Sequence, residues 1–329
     1  MHKFILAIAL ILTGLLGHAE TTPNAQTEAT LSESAAPAPK KWNLNFTQYH
    51  YSFKGQDAAN TQIYKFGNGQ LDMSLLTATY TASADWSFLT FVPYLKNEIE
   101  TIYEPVSGGL NFSGTDRTQG LGDVRFMAMN TVSLNPQHMT FLDIGFTAPT
   151  GSIDEYFTSN PAQRASYNMQ LGSGTYDLYL GATVMNFMDS FVSKARLQAA
   201  VRTGENKNNW TRGDEYMAQL SSFYQANNWL ELGVSSQIKS TMAIKGMDSK
   251  YELMSNYVGT QGIKGDGHQY YRAAQTNWDL TAVAKLKTQI QSVTAAAELG
   301  VPVAQGFNNK DDVDLNTIYS VSASLSGSF

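Results

Sequence analysis

Hydrophobic and polar side chains alternate with a period of two along much of the chain after residue 41. In the segment 192–202, for example, Leu197 and Val201 share one face, while Lys194 and Arg196 share the other. Such alternation is typical of a β-strand with one apolar and one polar face. The alternating runs have 12 to 16 residues, whereas strands of globular proteins usually have about 5 to 6. The sequence therefore predicts unusually long amphipathic strands.

Twelve segments are predicted to form strands, and the connections between them alternate in length. Connections after the even-numbered strands have two or three residues, among them turn formers such as Asn227 and Asn228, while those after the odd-numbered strands have 10 to 28 residues. The predicted strands cover residues 42–53, 71–82, 86–99, 122–134, 138–149, 174–187, 191–203, 214–226, 229–243, 272–287, 290–303 and 314–329.

An even number of long strands, joined in turn by short and long connections, is typical of an outer-membrane barrel. The sequence therefore predicts an all-β fold, a membrane-spanning antiparallel up-and-down β-barrel of twelve strands. The alternative is a secreted soluble β-sandwich, which would show shorter strands spaced about 8 to 12 residues apart.

The first 41 residues differ in composition from the rest of the chain. His2 and Lys3 precede an apolar run that is too short to cross a bilayer as a helix, and small residues follow it, as in a secretory signal peptide cleaved after Ala19. The next stretch is rich in Ala, Pro, Thr and Ser and has too few apolar residues to order itself. The expected organisation is a signal peptide over 1–19, a flexible tail over 20–41 and a barrel over 42–329.

The C-terminal segment places Tyr319, Val321 and Leu325 on one face, with serines on the other, and ends at Phe329. A chain that ends on an aromatic residue of an amphipathic strand resembles bacterial outer-membrane proteins. We therefore expect location in the bacterial outer membrane, with membrane lipid around the barrel. The barrel-assembly machinery is the expected partner of the strand that ends at Phe329, and the sequence leaves the oligomeric state open.

Composition excludes several classes of protein. Only 15% of residues are charged, compared with about 25% in an ordinary soluble domain. The absence of cysteine excludes disulfide scaffolds and thiolate metal sites. The net charge of -6 argues against nucleic acid as a partner. No cofactor or metal ion is expected.

The histidines after the signal peptide, His50, His138 and His268, fall in three different parts of the predicted topology. A hydrolase needs a base within hydrogen-bond reach of a nucleophile and an orienting group, and no G-x-S-x-G motif is present. The sequence therefore predicts a protein that is not an enzyme. An outer-membrane lipid hydrolase is the disfavoured alternative.

Most charged residues of the predicted strands fall on the polar face, where six acids are matched by six bases. The candidate lumen-lining residues are Asp123, Arg125, Asp143, Asp177, Lys194, Arg196, Arg202, Glu231, Lys239, Asp279, Lys285 and Glu298. A charge on the lipid face would cost roughly 2 to 4 kcal/mol near the midplane, so this placement supports an inward orientation. Ion pairs that satisfy a polar interior and residues that line a solute pathway both fit the pattern. A barrel of about eight strands is filled by its own side chains, whereas a porin of about sixteen strands has an open channel. A twelve-stranded barrel is intermediate in size, so its passage should be narrow or plugged by a loop.

Four short motifs resemble an outer-membrane protein family named for the MetA pathway of phenol degradation. They are QGLGDV at 119–124, FTAPTG at 146–151, LGSGTYDL at 171–178 and FVPY at 91–94. The resemblance implies an outer-membrane channel or transporter associated with the catabolism of aromatic or other hydrophobic compounds.

The sequence thus predicts a porin-like channel for the passive passage of a small hydrophobic or aromatic solute. The alternative is a surface adhesion or binding protein, in which the barrel anchors the long loops 100–121, 150–173 and 244–271.

Overall fold

The computed structural model describes residues 42–55, 64–103, 112–158, 161, 164–246, 248, 274–290, 293–307 and 315–328. The predicted signal peptide and tail lie outside the described residues, as do His268 and Phe329. No helix in the described part of the chain is long and apolar enough to cross a membrane.

Twelve antiparallel strands form a closed barrel, which confirms the predicted fold. The strands are β1 (Trp42–Gly55), β2 (Tyr64–Thr81), β3 (Trp86–Tyr103), β4 (Phe112–Leu121 and Val124–Asn135), β5 (His138–Ala148), β6 (Tyr176–Met188), β7 (Phe191–Thr203), β8 (Glu215–Asn227), β9 (Leu230–Thr241), β10 (Gln275–Ile290), β11 (Val293–Phe307) and β12 (Leu315–Ser328). Each strand pairs with its neighbours in the sequence, and β1 pairs with β12 to close the ring.

Three strands extend well beyond their predicted bounds: β2, β3 and β4, whose segment Phe112–Leu121 falls in the predicted loop 100–121. β2 begins at Tyr64 and β3 continues to Tyr103, so both have 18 residues. The start of β2 contains Gly67 and Gly69, which break the alternation of apolar and polar residues. Glycine carries no side chain that could mark one face of a strand as apolar or polar. The sequence pattern therefore underestimates the length of β2 at its glycine-containing end.

The outer surface of the barrel is largely apolar, although Asp72, Lys96 and Glu98 form a charged group on the outer face of β2 and β3. Large side chains that point outward from strands around the barrel, such as Phe46, Leu142, Leu197 and Leu286, are exposed. A monomeric soluble protein rarely exposes a continuous apolar surface of this kind. Exposed tryptophan and tyrosine side chains lie near the strand ends, where an outer-membrane barrel carries its interfacial girdles; they include Trp42, Trp86, Tyr176, Tyr216, Tyr224 and Trp229.

The inner faces of β1, β2 and β3 are also largely apolar. They contribute a cluster of buried side chains, here named the apolar wall: Tyr49, Tyr51, Met73, Leu75, Leu89 and Phe91. Sequence alternation did not predict this cluster, because apolar residues also occupy the outer face of the same strands. A strand that is apolar on both faces has no period-two contrast.

β4 is interrupted at Gly122 and Asp123. Val124 pairs with Ala148, the last residue of β5, and the described residues of the segment Phe112–Leu121 pair only with β3. The connection between β5 and β6 contacts the free edge, where Thr158 Oγ1 accepts a hydrogen bond of 3.2 Å from the backbone amide of Arg117. Part of this long loop therefore takes the place of strand pairing at the end of the barrel that carries the long loops.

Candidate functional site in the barrel interior

The candidate site is the interior of the barrel, where the structure brings most of the predicted charged residues into ion pairs. Arg196 binds Asp143 with an N–O distance of 3.0 Å, and Lys285 binds Glu298 at 3.3 Å. Glu231 pairs with Lys287 of the neighbouring strand. Each pair joins residues on neighbouring or nearby strands, so the mixed charge of the interior is locally neutralised.

The most buried of these groups form the Arg202 cluster, which consists of Arg202, Asp177, Glu215 and Lys239. Arg202 Nη1 lies 2.5 Å from Asp177 Oδ2, and Arg202 Nη2 binds Glu215. Lys239 Nζ lies 2.9 Å from the other carboxylate oxygen of Glu215. The side chains of Arg202 and Asp177 are only 3% and 2% exposed. The attraction between the two charges must therefore offset the free energy lost when both are removed from water.

Glu215 belongs to this cluster although sequence reasoning missed it. It is the first residue of β8, directly before the outward-facing Tyr216. The alternation of Glu215 and Tyr216 continues that of the strand and would have placed Glu215 inside. Glu215 is only the second residue of the predicted strand 214–226, and alternation carries little weight at a strand end.

Asp143 and Arg196 form a second buried contact. Arg196 donates to both carboxylate oxygens of Asp143, at 3.1 and 3.0 Å, and also to Thr183 Oγ1 at 2.7 Å. Gly181 is paired with Asp143 across the sheet, and a Cβ at Gly181 would lie only 2.2 Å from Asp143 Oδ2. Glycine therefore leaves the space in which the carboxylate turns toward Arg196.

Lys285, Lys194 and Asp279 extend the polar side of the interior. The Lys285 ammonium lies 3.8 Å from the ring centroid of Phe223, in a cation–π contact. Lys194 is buried on β7. Thr281 Oγ1 donates a hydrogen bond of 3.1 Å to Asp279 on β10. That these and the other predicted residues line a solute pathway stays a prediction.

Asp123 has a different role from the other predicted residues. Its carboxylate accepts hydrogen bonds from the backbone amide of Gly151 at 2.9 Å, and from the amide and hydroxyl of Ser173 at 2.7 and 2.9 Å. These donors lie at the two ends of the connection between β5 and β6. Asp123 therefore fixes that connection to the interruption in β4.

Arg125 occupies the same inner face as Asp123, and its guanidinium stacks on the ring of Tyr179, 3.7 Å from the ring centroid. Tyr179 is itself buried on β6. In the described part of the chain no carboxylate forms an ion pair with Arg125, which distinguishes it from Arg196 and Arg202.

The connections at the long-loop end pack into a compact unit, here named the cap, made of the described residues of 149–175, 204–214 and 242–248. Phe157 and Met169 of the cap pack against Ile99 on the inner face of β3. The ring of Tyr167 meets that of Trp210 edge-on, with centroids 4.7 Å apart. The cap therefore extends into the end of the barrel.

Arg164 holds the cap together. Its side chain is 1% exposed, and its guanidinium binds Asp154 at 2.6 Å and Asp248 at 2.8 Å. Burial alone would raise the pKa of Asp154, but the hydrogen bonds that it accepts from Lys207, Asn208 and Arg164 hold that pKa well below its usual value. The sequence identified these segments only as long loops, because an irregular fold of this kind leaves no periodic pattern.

The two described histidines lie on the outer face of the barrel, on different strands. His50 Nδ1 is 2.6 Å from Asp72 Oδ1 on β2, and His138 Nδ1 is 2.9 Å from Asn186 Oδ1 on β6. The predicted separation of these side chains in the topology is therefore seen for His50 and His138.

Comparison with known proteins finds no matching family model and no curated protein of similar sequence. An outer membrane channel from Pseudomonas putida F1 has a similar structure, with a TM-score of 0.55 and 12% sequence identity over 89% of this chain and 97% of that chain. The β domain of the Bordetella autotransporter Brka gives a TM-score of 0.44 at 9% identity, over 88% of this chain and 100% of that chain. The NanC porin gives 0.41 at 9% identity, over 87% and 100%.

The similarity to the Pseudomonas channel concerns the fold, which is that of an outer-membrane β-barrel. The class of protein defined by the fold and by the apolar outer surface is therefore the twelve-stranded membrane barrel. Membership of the MetA-related family stays a prediction, since no family model matches.

Proposed function

We propose that the protein is an outer-membrane channel for the passive passage of a small hydrophobic or aromatic solute. The observation that carries this proposal is the apolar wall inside the barrel, formed by residues such as Tyr49, Met73 and Phe91. A hydrophobic solute gains roughly 25 cal/mol for each Å² of apolar area that it removes from water.

The location in the outer membrane is supported by the apolar outer surface and by the aromatic residues at the strand ends. Export through a signal peptide over 1–19, and recognition of the strand ending at Phe329 by the assembly machinery, are parts of the same proposal. The resemblance to the MetA-related family implies a solute of the same chemical kind.

Entry and exit follow from the arrangement of the interior. The apolar wall lies on β1 to β3, and the charged groups lie mostly on β5 to β11, so a solute would pass between unlike surfaces. The cap packs against Ile99, which lies on β3 between the apolar wall and the long-loop end of the barrel. We infer that the cap shapes the opening at the long-loop end and that the solute moves down its own gradient.

The proposal is tested by reconstituting the refolded protein in planar bilayers and measuring ion conductance with and without benzyl alcohol, a small aromatic alcohol. We expect single-channel conductance that benzyl alcohol blocks. The variant Met73→Gln makes the apolar wall more polar and should weaken the block at least threefold. Its matched control is Ser74→Gln, which changes the next residue on the outer face and should leave the block unchanged.

Absence of conductance and block, in a protein that still shows the heat-modifiable gel migration of a folded barrel, would overturn the channel function. It would favour a barrel that anchors its long loops for binding at the cell surface. An equal block in wild type and Met73→Gln would show that the solute does not contact the apolar wall.

A further inference from the structure

Among the described residues, no carboxylate forms an ion pair with the guanidinium of Arg125. Its Nε is buried and makes no hydrogen bond to any described residue. The guanidinium stacks on Tyr179, with its central carbon 3.7 Å from the ring centroid. Such stacking holds the plane of a guanidinium and leaves its edge, with the N–H donors, for a partner in that plane.

Two carboxylates close to Arg125 in sequence and register are held by other groups: Asp123 lies two residues before it, and Asp177 is paired with Thr147, the residue opposite Arg125. Asp123 accepts three hydrogen bonds from Gly151 and Ser173. Asp177 binds Arg202 at 2.5 Å and accepts a hydrogen bond of 2.7 Å from Thr175. Because both acids are already neutralised or saturated by donors, the positive charge of Arg125 is left without compensation from them.

Arg125 also stands at the border between the two halves of the interior. It is directly opposite Phe91 in the pairing of β4 with β3, and residues so paired have Cβ atoms about 4.5 to 5.5 Å apart. Two residues further along the same face, Met127 packs against the apolar wall. On the other side of Arg125, the hydroxyl group of Tyr179 accepts a hydrogen bond of 3.5 Å from Arg202 Nη1.

We propose that Arg125 forms a binding site for the carboxylate of a small amphiphile whose apolar body rests on the wall around Phe91 and Met127. A carboxylate accepts two parallel hydrogen bonds from a guanidinium edge. The stacked ring of Tyr179 fixes that edge. This inference rests on the proposed channel function and narrows its solute to an apolar monocarboxylate, such as an aryl acid.

The test measures equilibrium binding of benzoate and benzamide to the refolded barrel in detergent by titration calorimetry. Benzamide has the same apolar ring without the negative charge, so it corrects for partition into micelles. We expect Arg125→Gln to weaken benzoate binding at least tenfold and to leave benzamide unchanged. Arg125→Lys, which retains the charge without the planar fork, should bind benzoate with an intermediate affinity.

The matched control is Lys96→Gln, which removes one positive charge from the outer face of β3, where Lys96 lies between Asp72 and Glu98. It should bind benzoate as the wild type does. The inference is overturned if Arg125→Gln keeps its benzoate affinity while its gel migration shows a folded barrel. It is also overturned if wild type binds benzoate no more tightly than benzamide.

These outcomes are distinct from failure of the channel function. Conductance that benzyl alcohol blocks, together with benzoate binding that is insensitive to Arg125, would leave the channel in place and remove the carboxylate site. Benzoate binding that depends on Arg125, in a barrel without conductance, would support the site and refute passage.

Discussion

The two halves of the barrel interior are stabilised in different ways. On β1 to β3, the apolar wall packs Tyr, Met, Leu and Phe side chains together, and Leu75 is only 2% exposed. On β6 to β9, the Arg202 cluster buries two acids and two bases that neutralise one another. The apolar half gains free energy from the removal of side chains from water. In the charged half, attraction between the buried charges offsets the free energy of their desolvation only if each charge has its partner.

This difference implies that the two halves tolerate change differently. Apolar side chains of similar volume can exchange with small loss, because dispersion and burial have no strict direction. A buried ion pair depends on hydrogen bonds of defined geometry, so removal of one partner leaves an uncompensated charge. Arg125 lies where the two halves meet, beside Phe91 and stacked on Tyr179.

The largest effect is expected from Arg202→Met. The substitution leaves Asp177 and part of Glu215 buried without their partner, at a cost of about 4 kcal/mol. The free energy of unfolding, measured by urea titration of the refolded barrel, should fall by that amount. A loss below about 1 kcal/mol would show that the cluster is solvated and that the contrast between the two halves is smaller than described.

A somewhat smaller loss is expected from Leu75→Ala in the apolar wall. The substitution opens a cavity in a packed cluster, which costs roughly 3 kcal/mol. The control is Leu76→Ala, whose side chain is 45% exposed on the outer face. Detergent or lipid fills the space there, so only the transfer free energy of the removed atoms is lost. Equal urea midpoints for the two variants would contradict the packing of the wall.

Gly181→Ala tests the geometry of the charged half without removing a charge. The new Cβ would lie 2.2 Å from Asp143 Oδ2, so the carboxylate must move and its contact with Arg196 is strained. We expect a loss of about 2 kcal/mol in urea unfolding, in the range of overpacked sites. Full stability of Gly181→Ala would mean that Asp143 has room to turn.

The smallest effect concerns pH and the cap. Since the pKa of Asp154 is lowered in the folded protein, its contribution to stability is present above the unfolded value of about 3.9 and is lost as the pH falls below that value. Hydrogen exchange of residues 151–158 should therefore accelerate on acidification, after correction for the intrinsic rate. Asp154→Asn should remove most of this pH dependence. An unchanged profile would indicate that Arg164 relies on Asp248 alone.

The sequence predicted the inner-face residues of the charged half but not those of the apolar half, and the reason is physical. Strands with an apolar outer face and a charged inner face, such as β7 with Lys194, Arg196 and Arg202, carry a clear period of two. β1 to β3 carry apolar residues on both faces, so their number was predicted but the content of their inner face was not. Alternation predicted Asp123 as a lumen-lining residue of the inner face. In the structure its carboxylate accepts hydrogen bonds from the backbone of the cap.

By itself, the sequence determined the number of strands, their antiparallel order and the inward placement of most charges, because lipid on one side and polar groups on the other impose a local alternation. Only the tertiary structure decided which charges meet. The partners of Arg202 come from β6 and β8, and the position of Arg125 depends on the register with β3 and on a ring from β6. Such contacts depend on how strands are shifted against one another, and a shift between strands leaves no trace in the pattern along any one of them.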